Sequence, residues 1–558
     1  MPAALDGLDP VLANLYAARG ISDPAELEYG LQYLAPVGSL RGIAPAVSLL
    51  LARREQRIIV VGDFDADGAT STALVARCLR QFGFANVDYL VPNRFEYGYG
   101  LTPEIVRVAA ESAPALLLTV DNGISSIEGV ATAGRLGIEV LITDHHLPGS
   151  QLPDAVAIVN PNLKSKAGEK EFGSPHLAGV GVAFYLMAAL GKALQDRGHT
   201  GAAKVPARYL DLVALGTVAD VVRLDHNNRI LVTQGLRRIN AGRCVPGITA
   251  ILRQSGRDPA RAVSADLGFT VGPRLNAAGR MDDMSVGIEC LLTDEIAVAE
   301  RLATMLDDMN NSRQEVEQAM REQAFAFVDA MSDTTLPPCV CVFEASWHQG
   351  IVGLIAARVR ERCHRPVIAF ARDQDGGLKG SARSVPGIHI RDLLEAVSTT
   401  TPGLIRKFGG HAMAAGLSMA EENLSSFSGL ACQQLTRLYP QADFSGAIVT
   451  DGGLPCASMN LPFARMLRGA GPWGAGFPEP VWSGDFELVE QRTVGSSHLK
   501  MRVRPVNGPQ ILDAIAFHQA GPAFRGTVRL AYRLDVNEWR GVESPQLVVE
   551  QITSSQRS

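Results

Sequence analysis

The sequence predicts an α/β protein made of two α/β domains, a long helix that joins them and a C-terminal β-barrel. Between about residues 57 and 160, short apolar β-rich runs alternate with helical runs, which is typical of a parallel sheet covered on both faces. Residues 294–331 contain neither Gly nor Pro, so they can form one helix of ~55 Å. Beyond about residue 480, five β-rich segments separated by turn residues indicate a small barrel.

The first α/β region is predicted to form alternating strands and helices. Its predicted strands are RIIVVGDF, NVDYLVPNRF, ALLLTVDNG and IEVLITDHH, with helices at ATSTALVARCLRQFG and IEGVATAGRLG. Residues 176–330 are predicted to be mostly helical. A second, smaller α/β unit follows at about 339–437, with the strands CVCVFEA and PVIAFA around a helix at GIVGLIAARVRE.

The barrel is predicted to be of the OB type. Its five strands are VWSGDFELVEQRTV, HLKMRVRPV, QILDAIAFH, FRGTVRLAYRLDVNEW and PQLVVEQI. A polar stretch near 440–450 is the candidate linker before it. We therefore expect a helical N-terminal segment at 1–55, a parallel-sheet α/β domain at 56–293, a connecting helix at 294–331, a second, smaller α/β domain at 332–440 and the barrel at 441–558.

Composition narrows the class of protein. With 558 residues and 46% hydrophobic residues, the chain is long enough for three or four globular domains. A net charge of −6 means that any surface for a polyanion must be a local patch. The eight cysteines include no C-x-x-C pair, and we see neither a signal peptide nor an apolar run of ~18 residues, so we expect a cytoplasmic protein without a disulfide framework.

Carboxylates and imidazoles follow several of the predicted strands. In VVGDFDADGAT (60–70), three aspartates alternate, and on an extended backbone they would share one face. Because parallel strands end at the same edge of a sheet, we expect the acidic and imidazole residues of these segments to converge there. They are Asp63, Asp65, Asp67, Asp121, Asp144, His145, His146 and Asp220. This mainly oxygen ligand set favours Mn²⁺ or Mg²⁺, with two ions ~3.5–4 Å apart activating a water for displacement at phosphorus.

Each motif also has a purely structural interpretation. D-x-D after a strand often forms a turn or a helix N-cap, and a buried histidine is commonly a satisfied core residue. Asp220 fits such an interpretation poorly, because an unpaired carboxylate in an apolar helix is costly. Occurring together at strand ends, the motifs favour a metal site.

The order of the motifs resembles that of the DHH phosphoesterase superfamily, and within it the RecJ family of single-strand-specific 5′→3′ exonucleases. GDFDADGATS, TVDNG, TDHHLP and LGTVADVV are similar to its first four motifs. GPRLNAAGRM, WHQGIVGLIAARV, GSARS and KFGGHAMAAG are similar to its later ones, so the resemblance spans about 60–416. It implies a DHH catalytic domain, a DHHA1 substrate-binding domain and an OB-fold domain that binds single strands.

The resemblance also implies roles for individual residues. The implied metal ligands are Asp65, Asp67, Asp121, His145 and Asp220. His146 would lie close to the scissile phosphate, and Asp63 belongs to the first catalytic motif. Many members of the superfamily carry a histidine where this chain has Val61, so Asp63 or a water molecule would complete the second metal site.

Further residues are predicted to bind the phosphates and bases of the substrate. Arg274, Asn276 and Arg280 are separated by small residues, and arginine can bind phosphate oxygens with two donors. The glycines before His411 can present backbone N–H groups to an anion, and the resemblance implies a 5′-end pocket at Ser381 and Arg383. These predicted contacts comprise Arg94, Tyr99, Arg274, Asn276, Arg280, Ser381, Arg383, Gly409, Gly410 and His411. In NRFEYGYGL (93–101), Arg94 lies among aromatic residues, including Tyr99, that could stack bases or form a packed loop. Surface arginines and a Gly-Gly-His turn are the structural alternatives for the other motifs.

The barrel carries a basic segment. Seven basic residues lie between positions 492 and 533, where only Asp513 is acidic. Lys500, Arg502 and Arg504 alternate with apolar residues and would share one strand face, as expected of a surface that follows a single strand. A solvated strand face is the alternative.

The predicted function is that of a metal-dependent exonuclease that hydrolyses single-stranded DNA 5′→3′ to mononucleotides, in DNA repair and recombination. The resemblance implies a single-strand-binding protein and a helicase as partners, and we take a monomer as the default. One alternative is a DHH phosphodiesterase acting on short oligoribonucleotides or cyclic dinucleotides, which would need no basic barrel. The other is a non-catalytic single-strand-binding protein, against which the acid and histidine set argues.

Overall fold

The computed structural model describes residues 5, 7–93, 97, 99–164, 171–331, 336–373, 376–495, 497–519 and 524–554. The chain forms two compact units, one containing residues up to 279 together with 283–307 and 449–558, the other containing 280–282 and 308–448. Across the described ranges, no single helix is long and apolar enough to cross a membrane, and one bent pair, Leu31–Ser39 with Ile43–Ala52, qualifies by length and composition alone.

A five-stranded parallel sheet forms the centre of the first unit. The strand order is β2-β1-β3-β4-β5, and every neighbouring pair is parallel. The apolar strand runs are buried, as predicted for a sheet covered on both faces. The elements are α1 (Pro10–Ala18), α2 (Ile43–Ala52), β1 (Arg57–Val61), α3 (Ala66–Gln81), β2 (Asn86–Leu90), α4 (Pro103–Ala110), β3 (Leu116–Val120), α5 (Ile127–Arg135), β4 (Glu139–Thr143) and β5 (Ala157–Val159).

Helices follow the sheet, as the sequence predicts. The elements are α6 (Gly179–Asp196), α7 (Leu210–Ala219), α8 (His226–Asn240), α9 (Pro246–Gln254), α10 (Ser264–Asp266), a π-helical turn (Leu267–Val271), α11 (Gly272–Met281), α12 (Ser285–Leu292) and α13 (Ile296–Ala330). The predicted long helix is confirmed, because α13 is continuous over 35 residues. Short 3₁₀ helices lie at Pro24–Leu27, Leu31–Tyr33, Val37–Ser39, Ala202–Lys204, Pro206–Tyr209, Pro259–Arg261, Glu421–Asn423 and Cys456–Ser458.

The second unit contains a mixed five-stranded sheet of order β6-β7-β8-β10-β9. Only β6 and β7 are parallel, and the remaining pairs are antiparallel. Its elements are β6 (Val340–Phe343), α14 (Val352–Cys363), β7 (Val367–Arg372), β8 (Leu378–Arg383), α15 (Ile390–Thr400), β9 (Lys407–Gly410), β10 (Ala414–Met419) and α16 (Leu424–Leu438). The predicted second α/β domain is therefore confirmed as a fold.

The C-terminal strands close into a barrel of order β11-β12-β13-β15-β14, which confirms the predicted OB type. Its elements are α17 (Leu461–Gly469), β11 (Trp482–Val494), β12 (His498–Pro505), β13 (Leu512–Ala516), β14 (Thr527–Trp539) and β15 (Val542–Ser554). The barrel interior shares one hydrophobic core with α1 and α17. The Tyr16 hydroxyl donates to the Ala470 carbonyl at 2.8 Å, which ties the start of the chain to the end of α17.

Candidate metal centre

The three aspartates after β1 do not share one face of an extended strand, contrary to the prediction, because Asp67 lies in the first turn of a helix. β1 ends at Val61 and α3 begins at Ala66. Asp65 caps α3, because its Oδ1 accepts the amides of Asp67 and Gly68 at 2.9 and 3.0 Å. An N-cap carboxylate satisfies amides that the first helical turn leaves unpaired. The strand–turn–helix bend, not a strand face, therefore brings these acids together.

Asp67 is fixed by the start of α6. Its two carboxylate oxygens accept the backbone amides of Gly179 and Val180 at 2.6 and 2.9 Å. Burial and the neighbouring Asp65 raise the pKa of Asp67 to about 7. The backbone therefore holds in place a carboxylate whose charge the site itself disfavours.

Asp121 follows β3 in a left-handed conformation, with φ at +62°. A non-glycine residue in this region is uncommon and marks a constrained turn. Burial, followed by the charges of Asp67 and Asp65, raises the pKa of Asp121 well above its ordinary value. Its Oδ1 accepts no hydrogen bond from any residue that the structure describes, although His145 Nε2 lies 3.1 Å away.

Asp144 organises the two histidines. Its Oδ1 accepts the backbone amides of His145 and His146 at 2.7 and 3.0 Å and also lies 2.7 Å from His146 Nδ1, while its Oδ2 accepts the amide of Ile124 at 2.8 Å. Burial lowers the pKa of His146, but the hydrogen bond to Asp144 and the charges of Asp144, Asp63 and Asp65 together outweigh it, so the net shift of the pKa is upward. Sequence reasoning noted Asp144 at the strand end but gave it no role.

The ligand atoms of these residues form three overlapping sets, each spanning at most 4.8 Å. Asp121 and His145 each belong to two of them, and Asp220 joins through its Oδ2, 3.5 Å from His145 Nε2. The sets are Asp63, Asp65 and Asp121; Asp67, His145 and Asp220; and Asp121, His145 and His146. The structure thus brings together every residue predicted to bind metal.

The donor set fits hard divalent cations. The pKa of Asp220, like that of Asp121, is raised by burial and by neighbouring carboxylates, so the acids repel one another when ionised. A divalent cation relieves that repulsion, and the oxygen atoms with one or two imidazoles match the preferences of Mn²⁺ and Mg²⁺. The overlapping sets leave room for two such ions.

Tyr99 lies at this site rather than on a separate aromatic surface. Its hydroxyl is 3.3 Å from the Asp121 carbonyl and 3.2 Å from His146 Nδ1, and its ring meets the rings of His146 and Phe64 edge-on. Arg94, predicted to bind beside it, lies outside the described residues. Sequence reasoning placed Tyr99 among stacking aromatics and did not foresee its contact with the histidine.

Two glycines that sequence reasoning missed make room for the ligands. A Cβ on Gly179 would lie 2.6 Å from Asp121 Cβ, and one on Gly216 would lie 2.8 Å from Asp67 Oδ1. Cβ atoms essentially never approach other atoms this closely. No local sequence signal separates these glycines from others in apolar helices.

Two of the three predicted phosphate contacts in the motif GPRLNAAGR, Arg274 and Asn276, lie in the first unit. The Arg274 guanidinium pairs with Asp307 at 2.8 Å and donates to the Thr270 carbonyl at 2.9 Å. Asn276 Oδ1 accepts the Ala66 amide at 2.8 Å, so it supports the first turn of α3. Asn276 therefore positions the metal loop, a role that the sequence did not indicate, whereas phosphate binding by Arg274 stays a prediction.

The remaining predicted phosphate contacts lie in the second unit. Arg280 donates to the Gly350 carbonyl at 3.1 Å. Arg383 donates to Ser381 Oγ at 3.1 Å, and burial, with the charge of Arg360, lowers the pKa of Arg383. Ser381 and Arg383 are therefore paired on β8, and their role as a 5′-end pocket stays a prediction.

The Gly-Gly-His segment forms the turn of a hairpin. Gly409 and Gly410 end β9 and pair with β10, and the three residues Gly409, Gly410 and His411 are exposed. The His411 amide is already used, because it donates to the Ala414 carbonyl at 2.7 Å. Anion binding by this turn stays a prediction.

On the barrel, the predicted strand face exists but is not unopposed. Met501 and Val503 point into the core, and Lys500, Arg502 and Arg504 share the outer face. Each of the three lies near a carboxylate of a neighbouring strand: Lys500–Asp513 at 3.7 Å, Arg502–Glu490 at 3.9 Å and Arg504–Glu487 at 2.8 Å. The expectation that only Asp513 opposes the basic residues is wrong, because strand pairing brings in acids that precede the basic segment.

Models of known protein families match three separate segments of the chain. Family models match at residues 57–217 (DHH family, N-terminal domain), 337–437 (DHHA1 domain) and 450–551 (RecJ OB domain). The chain is 51% identical to "Single-stranded-DNA-specific exonuclease RecJ" of Salmonella typhimurium, over 98% of this chain and 96% of that protein. It belongs to the RecJ family.

RecJ proteins from more distant bacteria match over nearly the same span. The RecJ protein of Thermus thermophilus is 32% identical over 97% of this chain and 74% of its own length. A crystal structure of RecJ from that organism in complex with Mn²⁺ superposes with a TM-score of 0.81 at 29% identity, covering 99% of this chain and 77% of the other. Its Mg²⁺ complex gives a TM-score of 0.75 at 28% identity, covering 99% and 76%.

Proposed function

We propose that the chain is a divalent-metal-dependent exonuclease that hydrolyses single-stranded DNA from its 5′ end and releases mononucleotides. The observation that carries the proposal is the convergence of Asp63, Asp65, Asp67, Asp121, His145 and Asp220 at the carboxyl edge of the parallel sheet. Relatives named as single-stranded-DNA-specific exonuclease RecJ match over 98% of this chain and are identical to it at about half of the aligned positions.

The metal centre would hold Mn²⁺ or Mg²⁺, as RecJ structures do. Bound ions would supply the positive charge that activates a water molecule and neutralises the phosphate under attack. Asp63, Asp65 and Asp121 would hold one ion, and Asp67, His145 and Asp220 would hold the other. Asp63 would thus supply an oxygen ligand in a chain that has Val61 where many members of the superfamily carry a histidine.

His146 would act on the substrate rather than on the metal alone. Asp144 holds its Nδ1 at 2.7 Å, which fixes the ring. Because the pKa of His146 is raised, despite burial, by this carboxylate, the imidazole keeps a proton at higher pH than a free histidine does. A protonated imidazole beside the site can donate to a phosphate oxygen or protonate the leaving oxygen.

The barrel would bind the strand beyond the cleavage site. Exposed ion pairs contribute only ~0–1 kcal/mol each, so phosphates can displace Glu487 and Glu490 from their arginines at little cost. An extended basic track suits long strands, which disfavours short oligonucleotides as the main substrate. We extend the proposal to a single-strand-binding protein and a helicase as partners, to a monomer, and to a cytoplasmic location, which the eight free cysteines support.

One digestion experiment tests the proposal. Single-stranded DNA with a 5′ label should yield a labelled mononucleotide in Mn²⁺ and stay intact in EDTA, while circular strands and duplexes stay intact in both. Asp121→Ala should abolish cleavage but keep strand binding, and Asp196→Ala, which changes an exposed acid at the end of α6, should behave as wild type. Cleavage of circular strands, cleavage in EDTA, or a preference for dinucleotides would refute the proposal.

A further inference from the structure

Phe269 is an exposed aromatic residue of the first unit that has no role in the metal centre described above. Its side chain is 82% exposed, and it lies in the single π-helical turn Leu267–Val271 that leads directly into α11. Leu267, Thr270 and Val271 are buried, so the turn is anchored on both sides of the exposed ring. Single π turns are rare and occur frequently at functional sites.

The π turn packs against the end of α7, where the metal ligand Asp220 lies. A Cβ on Gly268 would be 3.2 Å from Val218 Cγ1, and one on Gly272 would be 3.2 Å from Ala219 Cβ, so the two backbones are close. Asp220 caps α7 directly after these residues. The exposed ring therefore belongs to an element in direct contact with the helix that ends at a metal ligand.

Val221, the residue after Asp220, is a second exposed apolar side chain at this place. It is 69% exposed and has a φ of +59°. A left-handed conformation is a true outlier for a β-branched residue and costs of order 1–3 kcal/mol. Isolated exposed apolar residues are ordinary. Here two of them occur on adjoining elements, Phe269 in a rare π turn and Val221 in an unfavourable left-handed conformation.

The same helical segment supports the catalytic edge of the sheet. α11 continues from the π turn to Arg274, the predicted phosphate ligand, and to Asn276, which accepts the Ala66 amide of the metal loop. The π turn and α11 thus connect Phe269 to Arg274, the predicted phosphate ligand, and to Asn276, which supports the loop that carries the metal ligands. A part of the substrate that contacts Phe269 would therefore be held by the same helical segment that supports the metal ligands.

We propose that Phe269 and Val221 form a non-polar shelf that stacks the base of one nucleotide near the scissile phosphodiester and so positions that phosphate at the metal centre. The inference rests on the proposed exonuclease function and assigns it a positioning element. The occupant is a nucleobase, because every base offers a flat apolar face to an exposed aromatic ring. Such a contact is indifferent to sequence, as an exonuclease that degrades strands of any sequence requires.

The experiment combines protein variants with strands that lack a single base. Single-turnover cleavage is measured for wild type, Phe269→Ala and Phe269→Trp on a 5′-labelled strand and on a series of strands with one abasic position, moved stepwise from the 5′ end. Leu136→Ala is the matched control, because Leu136 is an exposed apolar residue preceding β4, at the opposite edge of the sheet from the metal centre. Thermal unfolding checks that each variant is folded, which an exposed position should allow.

Phe269→Ala should slow cleavage of the intact strand by about 5- to 150-fold, the equivalent of ~1–3 kcal/mol for one stacked base. At one abasic position, wild type and Phe269→Ala should cleave at the same rate, and Phe269→Trp should retain the wild-type rate on the intact strand. If Phe269→Ala lowered the cleavage rate equally on all strands, or did not lower it at all, the proposed shelf would be overturned. Cleavage by the wild-type protein would still support the proposed function. A wild-type protein that cleaves nothing would overturn both.

Discussion

Replacing Gly179 by alanine tests whether the backbone around the metal centre has been shaped to its ligands. Gly179 is the first residue of α6, and its amide donates to Asp67 Oδ2 at 2.6 Å. An added Cβ would lie 2.6 Å from Asp121 Cβ and 2.7 Å from Asp121 Oδ1. The added methyl group would therefore collide with Asp121. It would also lie next to the amide that holds Asp67.

The size of the effect follows from that distance. Reaching the 3.4 Å of an ordinary contact from 2.6 Å requires a movement of about 0.8 Å, by Asp121, by α6 or by both. Overpacking of this kind costs ~1–3 kcal/mol, and alanine recovers up to ~1 kcal/mol as the better helix former. A reacting geometry displaced by ~1 Å loses ~100-fold in rate. A 100-fold loss of rate corresponds to ~2.7 kcal/mol, so the loss of activity should be comparable to or larger than the net loss of stability.

The assay is single-turnover cleavage of single-stranded DNA over a Mn²⁺ titration, with thermal unfolding measured beside it. Gly134→Ala is the matched control, since Gly134 lies in α5 and an added Cβ there meets no atom within 4 Å. We expect Gly134→Ala to retain full activity and Gly179→Ala to lose ~100-fold and to need more Mn²⁺. Wild-type activity and Mn²⁺ dependence in a folded Gly179→Ala protein would refute the idea that this glycine is required by the ligand.

Three further changes probe the charges, the barrel and the support of the ligand loop. Asp121→Asn removes a buried charge but tolerates positive φ, so it should abolish cleavage and raise the unfolding temperature in EDTA; a lower temperature would contradict the charge repulsion. Arg504→Ala should weaken single-strand binding and reduce its log–log salt slope by ~0.7, whereas Glu487→Gln, which removes the partner of Arg504, should strengthen binding in the same anisotropy titrations. Asn276→Ala leaves the Ala66 amide without its acceptor and should cost ~1–3 kcal/mol of unfolding free energy, while Asn276→Asp, which keeps an oxygen there, should cost less.

The fold could be predicted where one local period dominates. Continuous apolar runs between helical segments predicted the parallel sheet, and the absence of Gly and Pro predicted α13. The packing of α1 into the core of the barrel could not be predicted. The two segments are more than 400 residues apart, and amphipathic patterns show which face of an element is buried but not which partner buries it.

The site was predictable in its ligands but not in its supports. Parallel strands end at one edge of a sheet, so topology predicted that the acids and histidines after them converge, and the family resemblance implied which of them bind metal. Asp144 and Gly179 act through contacts that exist only after folding, such as the hydrogen bond of Asp144 to His146 and the close approach of Gly179 to Asp121. The prediction that only Asp513 opposes the basic residues of the barrel failed for a related reason. The acids facing Arg502 and Arg504 come from β11, and strand pairing rather than proximity in sequence decides which charges meet.

The hydrogen bonds at the metal centre explain how such a cluster of acids can exist in a folded chain. Asp65 caps α3 and Asp67 accepts two amides at the start of α6, so both carboxylates lie at the positive ends of helices. Each such end contributes ~0.3–1 kcal/mol, which is too little to balance several buried like charges, and the pKa of Asp121 and that of Asp220 stay raised. A bound cation would neutralise the remaining repulsion between the carboxylates, so metal binding and the stability of this edge of the sheet are linked. That linkage is why the loss of one charge at Asp121 should stabilise the metal-free protein and weaken the metal-bound one.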